Sequence, residues 1–307
     1  MVLLAACARR PAAMPARHQV SRRASGYVAI ELFGLDMAGL KQEDLAALRS
    51  AVHALEHPGL AARLTDMIGK PIELLGTALP VSASNLISTS VSKALGMALQ
   101  AALMSLRRAP HPGSQLLHKA LATASGAAGG AFGLPMLPIE LPVSTIIMLR
   151  SIADIARSEG EDLSDPETAL SCIEVFALGA RTQSDDASES GYFALRGLLA
   201  KSVTEAARYL AHRGVIEEGA PVLVRFITQV AARFGIVVTE KVAAQSLPVI
   251  GALGGAAVNY IFIEHFQAVA LGHFTVRRLE RAYGKSLIQA EYERLAKNNE
   301  AGGSGSG

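Results

Sequence analysis

The sequence predicts an all-α protein with a single multi-helix domain. Half of its 307 residues are apolar and 18% are charged, whereas about a quarter of the residues in ordinary soluble domains carry a charge. Tryptophan is absent and other aromatic residues are few, so alanine, leucine, valine and isoleucine must form most of the interior. Apolar residues recur at helical spacing, and no segment shows the sustained alternation of apolar and polar residues that is typical of a half-buried strand.

Two uncharged stretches rich in glycine and alanine are predicted to be the central helices of this domain. The first lies between Lys119 and Glu140, and the second lies between Lys241 and Glu264. Each begins after a lysine, contains a Gly-Gly pair and ends at a glutamate, which indicates a pseudo-repeat of two helical hairpins. Glycines four residues apart let helix backbones pack closely. This spacing occurs in three pairs: Gly126 and Gly130, Gly129 and Gly133, and Gly251 and Gly255.

Both stretches are long enough to cross a bilayer, but their flanks favour a place in a packed protein core. The first runs into three prolines within residues 134–142. We expect these to exclude regular helix, because proline removes a donor and crowds the preceding turn. The second runs into a polar group that begins at Asn259. We therefore expect two close-packed helices that place Glu140 and Glu264 in similar positions, with the membrane as a neighbour.

The other helices are predicted from apolar residues at helical spacing and from the breakers between them. The first covers Asp44 to His57, where proline and glycine follow, and further helices are predicted at residues 60–69, 71–79, 80–107 and 115–132. A helix at residues 143–158 begins after Pro142, and Ser144 can satisfy its free amides. Residues 164–167 (Ser-Asp-Pro-Glu) fit a capping box for a helix that ends near Leu178. The last predicted helices cover residues 192–213, 221–244, 249–270 and 273–297.

The helical domain is predicted to cover residues 40–297. Residues 1–39 form a leader with several arginines and no acidic residue before Glu31. Residues 4–7 (Leu-Ala-Ala-Cys) are similar to the end of a bacterial lipoprotein signal, but the apolar core before Cys7 is shorter than such a signal needs. Four interpretations stay open: a disordered leader, a mis-set start codon, a truncated lipoprotein signal lipidated at Cys7, and an organelle-targeting leader. Residues 298–307 are interpreted as a tail and an expression linker.

Charge, cysteine content and missing motifs argue against several classes of function. A net charge of +2 is too small to favour a nucleic-acid partner. Cys7 and Cys172 lie far apart in the sequence, so we predict neither a disulfide framework nor a metal site. The sequence contains no GxSxG, HExxH or Walker A motif.

Arg150 and Asp154 form the first of three groups of candidate site residues. They stand four residues apart on a helix that is otherwise apolar, so they can pair across one turn. The pair is interpreted as a structural tie to a neighbouring helix or as part of a binding site in a polar core.

The second group lies at the end of the second glycine-rich stretch and contains Asn259, Glu264, His265, His273 and Arg277. An amide or a charge is costly to bury without a partner, and histidine near neutral pH can act as a base or a metal ligand. The group is interpreted either as polar anchors of a core helix or as a catalytic cluster formed by Glu140, Glu264, His265 and His273. Two histidines eight residues apart do not form a metal pair on one helical turn.

The third group is the basic side of the predicted final helix, with Arg277, Arg278, Arg281 and Lys285. A basic amphipathic helix can lie on an anionic membrane surface. Glutamates dilute the positive charge, so an ordinary solvated helix face is the alternative.

Several blocks of sequence, taken in order, carry a resemblance to a known family. They are residues 56–60 (EHPGL), 68–73 (IGKPIE), 148–156 (MLRSIADIA), 160–163 (GEDL), 172–179 (CIEVFALG), 259–260 (NY), 264–266 (EHF) and 273–280 (HFTVRRLE). Together they resemble the bacterial EcsC family over about residues 40–297. The family is named after a gene that neighbours an ABC exporter, and it brings no agreed catalytic residues. The resemblance implies a bacterial protein that works at or near the cytoplasmic membrane.

Three functional hypotheses follow. The leading one is a membrane-associated helical protein without enzymatic activity that binds a lipid, a membrane partner or a transporter, with ABC transporter components as candidate partners. It would lie in the cytoplasm or at the cytoplasmic face of the inner membrane, or would be a lipoprotein if Cys7 belongs to a truncated signal. The second is a hydrolase or metal-dependent enzyme that uses the glutamate and histidine cluster, with its cofactor unassigned. The third is a scaffold that forms a homo-oligomer through the Gly-Gly helix faces.

Overall fold

The computed structural model describes residues 39–56, 59–69, 72, 76, 79–105, 134–180, 191–213, 220–245 and 251–303. Of these residues 91% are helical and none forms a strand, which confirms the all-α prediction. The α-helices are α1 (Gln42–Glu56), α2 (Leu60–Ile68), α3 (Val81–Ser105), α4 (Leu137–Ser158), α5 (Pro166–Leu178), α6 (Gly191–Arg213), α7 (Pro221–Gln245), α8 (Gly251–Tyr283) and α9 (Lys285–Gly303).

Contacts along the chain divide it into two compact units, residues 1–42 and 43–307. The first glycine-rich stretch lies outside the described residues, and with it Gly126, Gly130 and Gly133. Cys7 lies outside them too. The leader, the tail and the pairing of the two glycine-rich stretches therefore stay predictions.

Helix α4 begins earlier than its prolines led us to predict. Residues Leu134–Met136 form a 3-10 turn, and α4 continues from Leu137 through Pro138 and Pro142. The prediction of irregular chain here was wrong, because Pro138 lies in the first turn, where its missing amide has no partner to lose. Glu140 consequently lies in the first turn of α4, and does not end a preceding helix.

Ser144 lies inside α4, and does not cap its start. Its hydroxyl donates to the Leu141 carbonyl at 3.1 Å. The predicted capping box before α5 is also corrected in detail: the side chain of Asp165, and not that of Ser164, caps the helix by accepting from the Glu167 amide at 2.9 Å.

Helix α8 runs unbroken across Gly272, where the sequence suggested a break between two helices. A Cβ atom at Gly272 would lie 2.9 Å from Leu55 Cγ and 3.2 Å from the Ala51 carbonyl oxygen. The glycine therefore allows α1 to cross α8 closely. The helix ends instead before Gly284, which has a φ of 92° and separates α8 from α9.

Three hydrogen bonds show that α4 and α8 run parallel and in register. Asn259 reaches Glu140 at 3.1 Å, Gln267 reaches Ser151 at 2.7 Å, and Arg277 reaches Glu161, just beyond α4, at 2.8 Å. The partners in these pairs are separated in sequence by 119, 116 and 116 residues. The nearly constant separation means that equal steps along the two helices lead to neighbouring positions.

Helix α7 runs in the opposite direction to α8. Its Lys241 lies beside Glu140, near the start of α4. Its Phe234, two turns earlier, lies with its ring centroid 5.6 Å from that of Phe266, which is further along α8. A later residue of α7 thus lies beside the early part of α8, and an earlier residue of α7 lies beside a later part of α8. The two helices are therefore antiparallel.

The core of the described domain is centred on α5. This helix contacts α3, α4, α6, α7 and α8, and every residue from Thr168 to Leu178 is buried. A helix that is apolar on all sides belongs inside a protein. Its Phe176 packs against Phe234 and Phe266, with ring centroids 4.9 and 5.4 Å away.

Candidate functional site

A buried ion pair joins the start of α4 to the end of α7. Lys241 Nζ donates to Glu140 Oε1 at 2.7 Å, and the two side chains are 0% and 4% exposed. The Asn259 amide donates to the same oxygen at 3.1 Å. Lys241 Nζ also lies 4.8 Å from the centroid of the Phe262 ring, a distance at which a cation is attracted to an aromatic face. The contacts hold three helices together around one neutralised pair of charges.

A second polar cluster surrounds Glu161, in the loop between α4 and α5. Arg277 donates to both carboxylate oxygens of Glu161, at 2.8 and 3.1 Å, and Arg281 contacts the same carboxylate. Arg277 also donates to Ser171 on α5 at 3.2 Å. Burial acts to raise the pKa of Glu161, but the hydrogen bonds and charges of the two arginines outweigh it and hold the pKa below its usual value. The cluster ties the far half of α8 to this loop and to α5.

A third cluster lies between α5, α6 and α8. Arg196 donates two hydrogen bonds of 2.8 Å to the Glu280 carboxylate, and Tyr192 Oη lies 3.0 Å from His273 Nδ1. Burial lowers the pKa of His273, and the positive charges of Arg196 and Arg277 lower it further. His273 is therefore neutral at physiological pH and has no hydrogen-bond partner at Nε2 among the described residues.

Glu174 is a buried carboxyl group of α5 beside this third cluster. Burial raises its pKa to about 7, although the charges of Arg196 and Arg277 oppose the change. Its Oε1 atom is buried and has no hydrogen-bond partner among the described residues. Glu174 therefore titrates near neutral pH inside the protein.

The four predicted catalytic candidates have separate partners. Glu140 binds Lys241 and Asn259. Glu264 contacts Arg63 at 3.3 Å at a half-exposed position. His265 Nε2 lies 2.8 Å from the Gly179 carbonyl oxygen, and His273 contacts Tyr192.

Distances along α8 explain why these candidates are not gathered at one place. At about 1.5 Å per residue, His265 and His273 are about 12 Å apart along the axis, and Asn259 is about 21 Å from His273. Glu140, which contacts Asn259, therefore lies near one end of the helix bundle and His273 lies near the other. The described residues hold no group of three or more His, Cys, Asp or Glu side chains that could bind a metal ion.

The remaining candidates have structural surroundings. Asp154 pairs with Arg157 at 3.1 Å, while Arg150 is exposed. Gly255 is buried within α8, and Gly251 is the first residue of that helix. Cys172 is buried, and burial raises the pKa of its thiol to about 12, so it is not a nucleophile at neutral pH.

The basic surface predicted on the final helix is not formed as expected. Arg277, Arg278 and Arg281 belong to α8, and only Lys285 belongs to α9. Arg278 contacts Asp44 at 2.9 Å and Glu159 at 2.8 Å, and the other two arginines contact Glu161. Acidic side chains from α1 and from the loop after α4 therefore neutralise this basic group.

Sequence reasoning missed several members of the polar clusters: Glu161, Glu174, Tyr192, Arg196, Lys241 and Glu280. For one of them the sequence holds a usable signal, because Glu174 is a single charge among mainly apolar neighbours. A charge in that position needs a buried partner or an altered pKa. Arg196 and Glu280 lie 84 residues apart, and nothing local in the sequence connects them.

Three described helices are long and apolar enough to cross a membrane: Val81–Met104, Leu134–Ser158 and Pro221–Gln245. The last has the highest mean hydropathy, yet only 33% of its most apolar window is buried in the protein, against 61% for Leu134–Ser158. These helices fit a membrane-associated protein.

Comparison with known proteins gives one match. No curated protein and no solved structure matches the chain. The family model of the EcsC protein family matches residues 42–279, which include α1 to α7 and almost all of α8. The clusters around Glu140, Glu161 and His273 lie within the matched region except for Glu280 and Arg281, which follow it directly. The chain belongs to the EcsC protein family.

Proposed function

We propose that this EcsC-family protein associates with a lipid bilayer through apolar helix surfaces of α3, α4 and α7. The observation that carries the proposal is that α7 has the highest mean hydropathy of the three apolar helices and is the least buried. In a domain that lies wholly in water, the apolar side of a helix packs against the core. The exposed large apolar side chains of α7 are Val224 and Ile236, and apolar side chains that the protein leaves exposed can contact another apolar phase.

The exposed surface of α4 supports the same proposal. Ile139 and Val143 are exposed and stand four residues apart, so they share one side of the helix. The only charge before Arg150 in this helix is Glu140, which is buried and paired. The first half of α4 therefore presents apolar side chains and no free charge to its surroundings.

The buried ion pair removes an obstacle to lipid contact. A lone lysine or glutamate near hydrocarbon is costly, and Lys241 and Glu140 neutralise each other inside the protein. A membrane protein, such as an ABC transporter component, could also bind these apolar surfaces. We favour the lipid itself, because α3, α4 and α7 have the high mean hydropathy of helices that contact lipid.

Flotation with protein-free lipid vesicles tests the proposal. The purified chain is mixed with vesicles of phosphatidylcholine alone, or with added phosphatidylglycerol, and centrifuged in a density gradient. We expect it to float with both, at low and at high salt, because apolar contact does not depend on anionic lipid. A chain that stays at the bottom of the gradient with both vesicle types would contradict the proposal and leave a protein partner as the alternative.

A matched pair of variants locates the surface. Val143 on α4 and Leu271 on α8 are each 48% exposed, but only Val143 lies in an apolar helix half. We expect Val143→Glu to reduce flotation several-fold and Leu271→Glu to leave it unchanged. Equal loss in both variants would show that the contact is not specific to this surface.

A further inference from the structure

We infer that the domain immerses one end in a single leaflet of the bilayer, and that the apolar helices α3, α4 and α7 do not cross the membrane. The inference rests on the proposed membrane association and adds its depth and direction. The immersed part, here called the apolar end, consists of the first half of α4 (residues 137–149), the second half of α7 (residues 234–245) and the first part of α8 (residues 251–263). Its partner is the acyl chains of one leaflet.

The apolar end is one contiguous region because its parts of α4, α7 and α8 lie side by side. Glu140, Lys241 and Asn259 meet by direct hydrogen bonds, so these parts of α4, α7 and α8 lie side by side. From this meeting point α4 and α8 run onward in parallel, while α7 arrives from the opposite direction. Equal distances from the meeting point, forward along α4 and α8 and backward along α7, therefore lead to the same level of the bundle.

Charges begin within one leaflet's depth of this meeting point on each of these helices, about 15 Å away on α4, about 12 Å on α7 and about 8 Å on α8. The first charge beyond the buried pair is Arg150 on α4, Glu264 on α8 and Arg233 on α7. Between these charges and the near ends of the helices, the only ionisable groups are Glu140, Lys241 and Glu240. The first two form the buried pair, and Glu240 is half-buried and takes part in an interaction within the chain.

The length of the apolar end fits one leaflet. At about 1.5 Å per residue, Ile139 is about 16 Å from Arg150, and Gly251 is about 20 Å from Glu264. The hydrocarbon core of a bilayer is about 30 Å thick, so one leaflet contributes about 15 Å. Each helix is long enough to cross the bilayer only if its charged half is included.

The charged half of the bundle is suited to water and headgroups. It carries Arg157 and Asp154 on α4, and the clusters in which Arg277, Arg278 and Arg281 meet acidic side chains. The exposed large apolar residues of the apolar end are Ile139, Val143, Ile236 and Tyr260. Tyr260 follows Asn259, which contacts Glu140, so it lies within the apolar end at the level of Ile139 and Val143.

Tryptophan depth measurements test the inference, because the chain has no tryptophan of its own. Three single variants place the probe along one side of α4: Ile139→Trp, Val143→Trp and Ile147→Trp. Each is bound to vesicles whose lipids carry bromine either near the headgroup or near the end of the acyl chain. The ratio of quenching by deep and shallow bromine reports the depth of the indole ring.

Single-leaflet immersion predicts that depth falls from position 139 to 143 to 147, with about 12 Å between the first and the last. A helix that crosses the bilayer would give the opposite order, because residue 147 lies at the middle of α4. That result would overturn the inference while leaving membrane association intact. Absence of quenching in every variant would instead contradict the membrane association itself.

A second pair on α8 keeps the test independent of folding effects in α4. Tyr260→Trp exchanges one aromatic ring for another within the apolar end, and Leu271→Trp places the probe in the charged half. We expect lipid bromine to quench the first and aqueous acrylamide to quench the second. Strong lipid quenching at position 271 would overturn the inference.

Discussion

Lys241 donates a hydrogen bond to Glu140 across 101 residues of sequence, at 2.7 Å and out of contact with solvent. The pair fixes the end of α7 against the start of α4, and Asn259 adds α8 to the same oxygen. A buried ion pair contributes little net stability compared with apolar residues of the same volume, but the loss of one partner leaves an uncompensated charge. The pair therefore acts mainly by specifying how the three helices meet at the apolar end.

Replacing one partner of this pair is expected to destabilise the fold strongly. Lys241→Met leaves the Glu140 carboxylate buried with only the Asn259 amide, and we expect the free energy of unfolding to fall by about 3–5 kcal/mol. Urea denaturation followed by circular dichroism measures the change.

Two further variants control this experiment. Lys201→Met removes a lysine whose side chain is 84% exposed and 4.0 Å from Glu205, so a change below about 1 kcal/mol is expected. The double variant Glu140→Leu with Lys241→Met should recover most of the loss, because it removes both charges. A double variant no more stable than Lys241→Met would show that the lost charge balance is not the cause.

Gly179 is expected to tolerate no side chain. A Cβ atom there would lie 2.5 Å from Phe266 Cε1 and 3.3 Å from His265 Nε2. Gly179→Ala must therefore move an aromatic ring of the core, at a cost of about 1–3 kcal/mol. Gly197→Ala and Gly235→Ala are the controls, because their Cβ atoms would meet nothing within 4 Å and alanine favours a helix interior by about 1 kcal/mol. Thermal unfolding of the three variants should separate the first from the other two, and similar midpoints would refute the close approach.

Glu174 is expected to make stability depend on pH. Its folded pKa of about 7 exceeds the ordinary value of 4.5, so between these values only the unfolded chain loses the proton. Stability contributed by the protonated group therefore falls as pH rises from 4.5 to 7, by about 3 kcal/mol in total. Glu174→Gln removes this titration. Its free energy of unfolding, measured by urea denaturation, should therefore rise relative to that of the wild type as pH rises across that range. A constant difference between pH 4.5 and 8 would show that Glu174 does not titrate as described.

The helical architecture could be predicted because apolar periodicity and helix breakers are local properties. The start of α4 was missed because Pro138 and Pro142 were both treated as helix breakers. Proline is compatible with a first turn, where Pro138 lies, whereas Pro142 lies inside the helix, where tertiary packing overrides its low helix propensity. The break at Gly272 was predicted for a similar reason. Its glycine admits Leu55 from α1, and such a contact between distant segments has no local pattern.

The sequence indicated the buried polar residues of α8 but not most of their partners. Four polar groups of α8 are buried or largely buried: Asn259, His265, His273 and Arg277. For Asn259 the sequence indicated this, because its neighbours are apolar. Their partners Glu140, Gly179, Tyr192 and Glu161 lie between 81 and 119 residues away. Only the packing of α4, α5 and α6 on α8 brings these groups together, so one helix pattern could not reveal the clusters.

His265 is expected to weaken the fold in acid. Burial lowers its pKa from 6.5 to about 4, against the opposing effect of its hydrogen bond to the Gly179 carbonyl. Below pH 6.5 the unfolded chain therefore binds a proton at this histidine, whereas the folded protein binds it only near pH 4. Stability present above pH 6.5 is consequently lost as pH falls, by about 3 kcal/mol. His265→Gln keeps an N–H donor for the carbonyl and cannot titrate, so its stability relative to the wild type should rise by about 3 kcal/mol as pH falls from 6.5 to 4 in urea denaturation. His212→Gln alters an exposed histidine and should follow the wild type, whereas a wild-type slope in His265→Gln would mean that another group senses the acid.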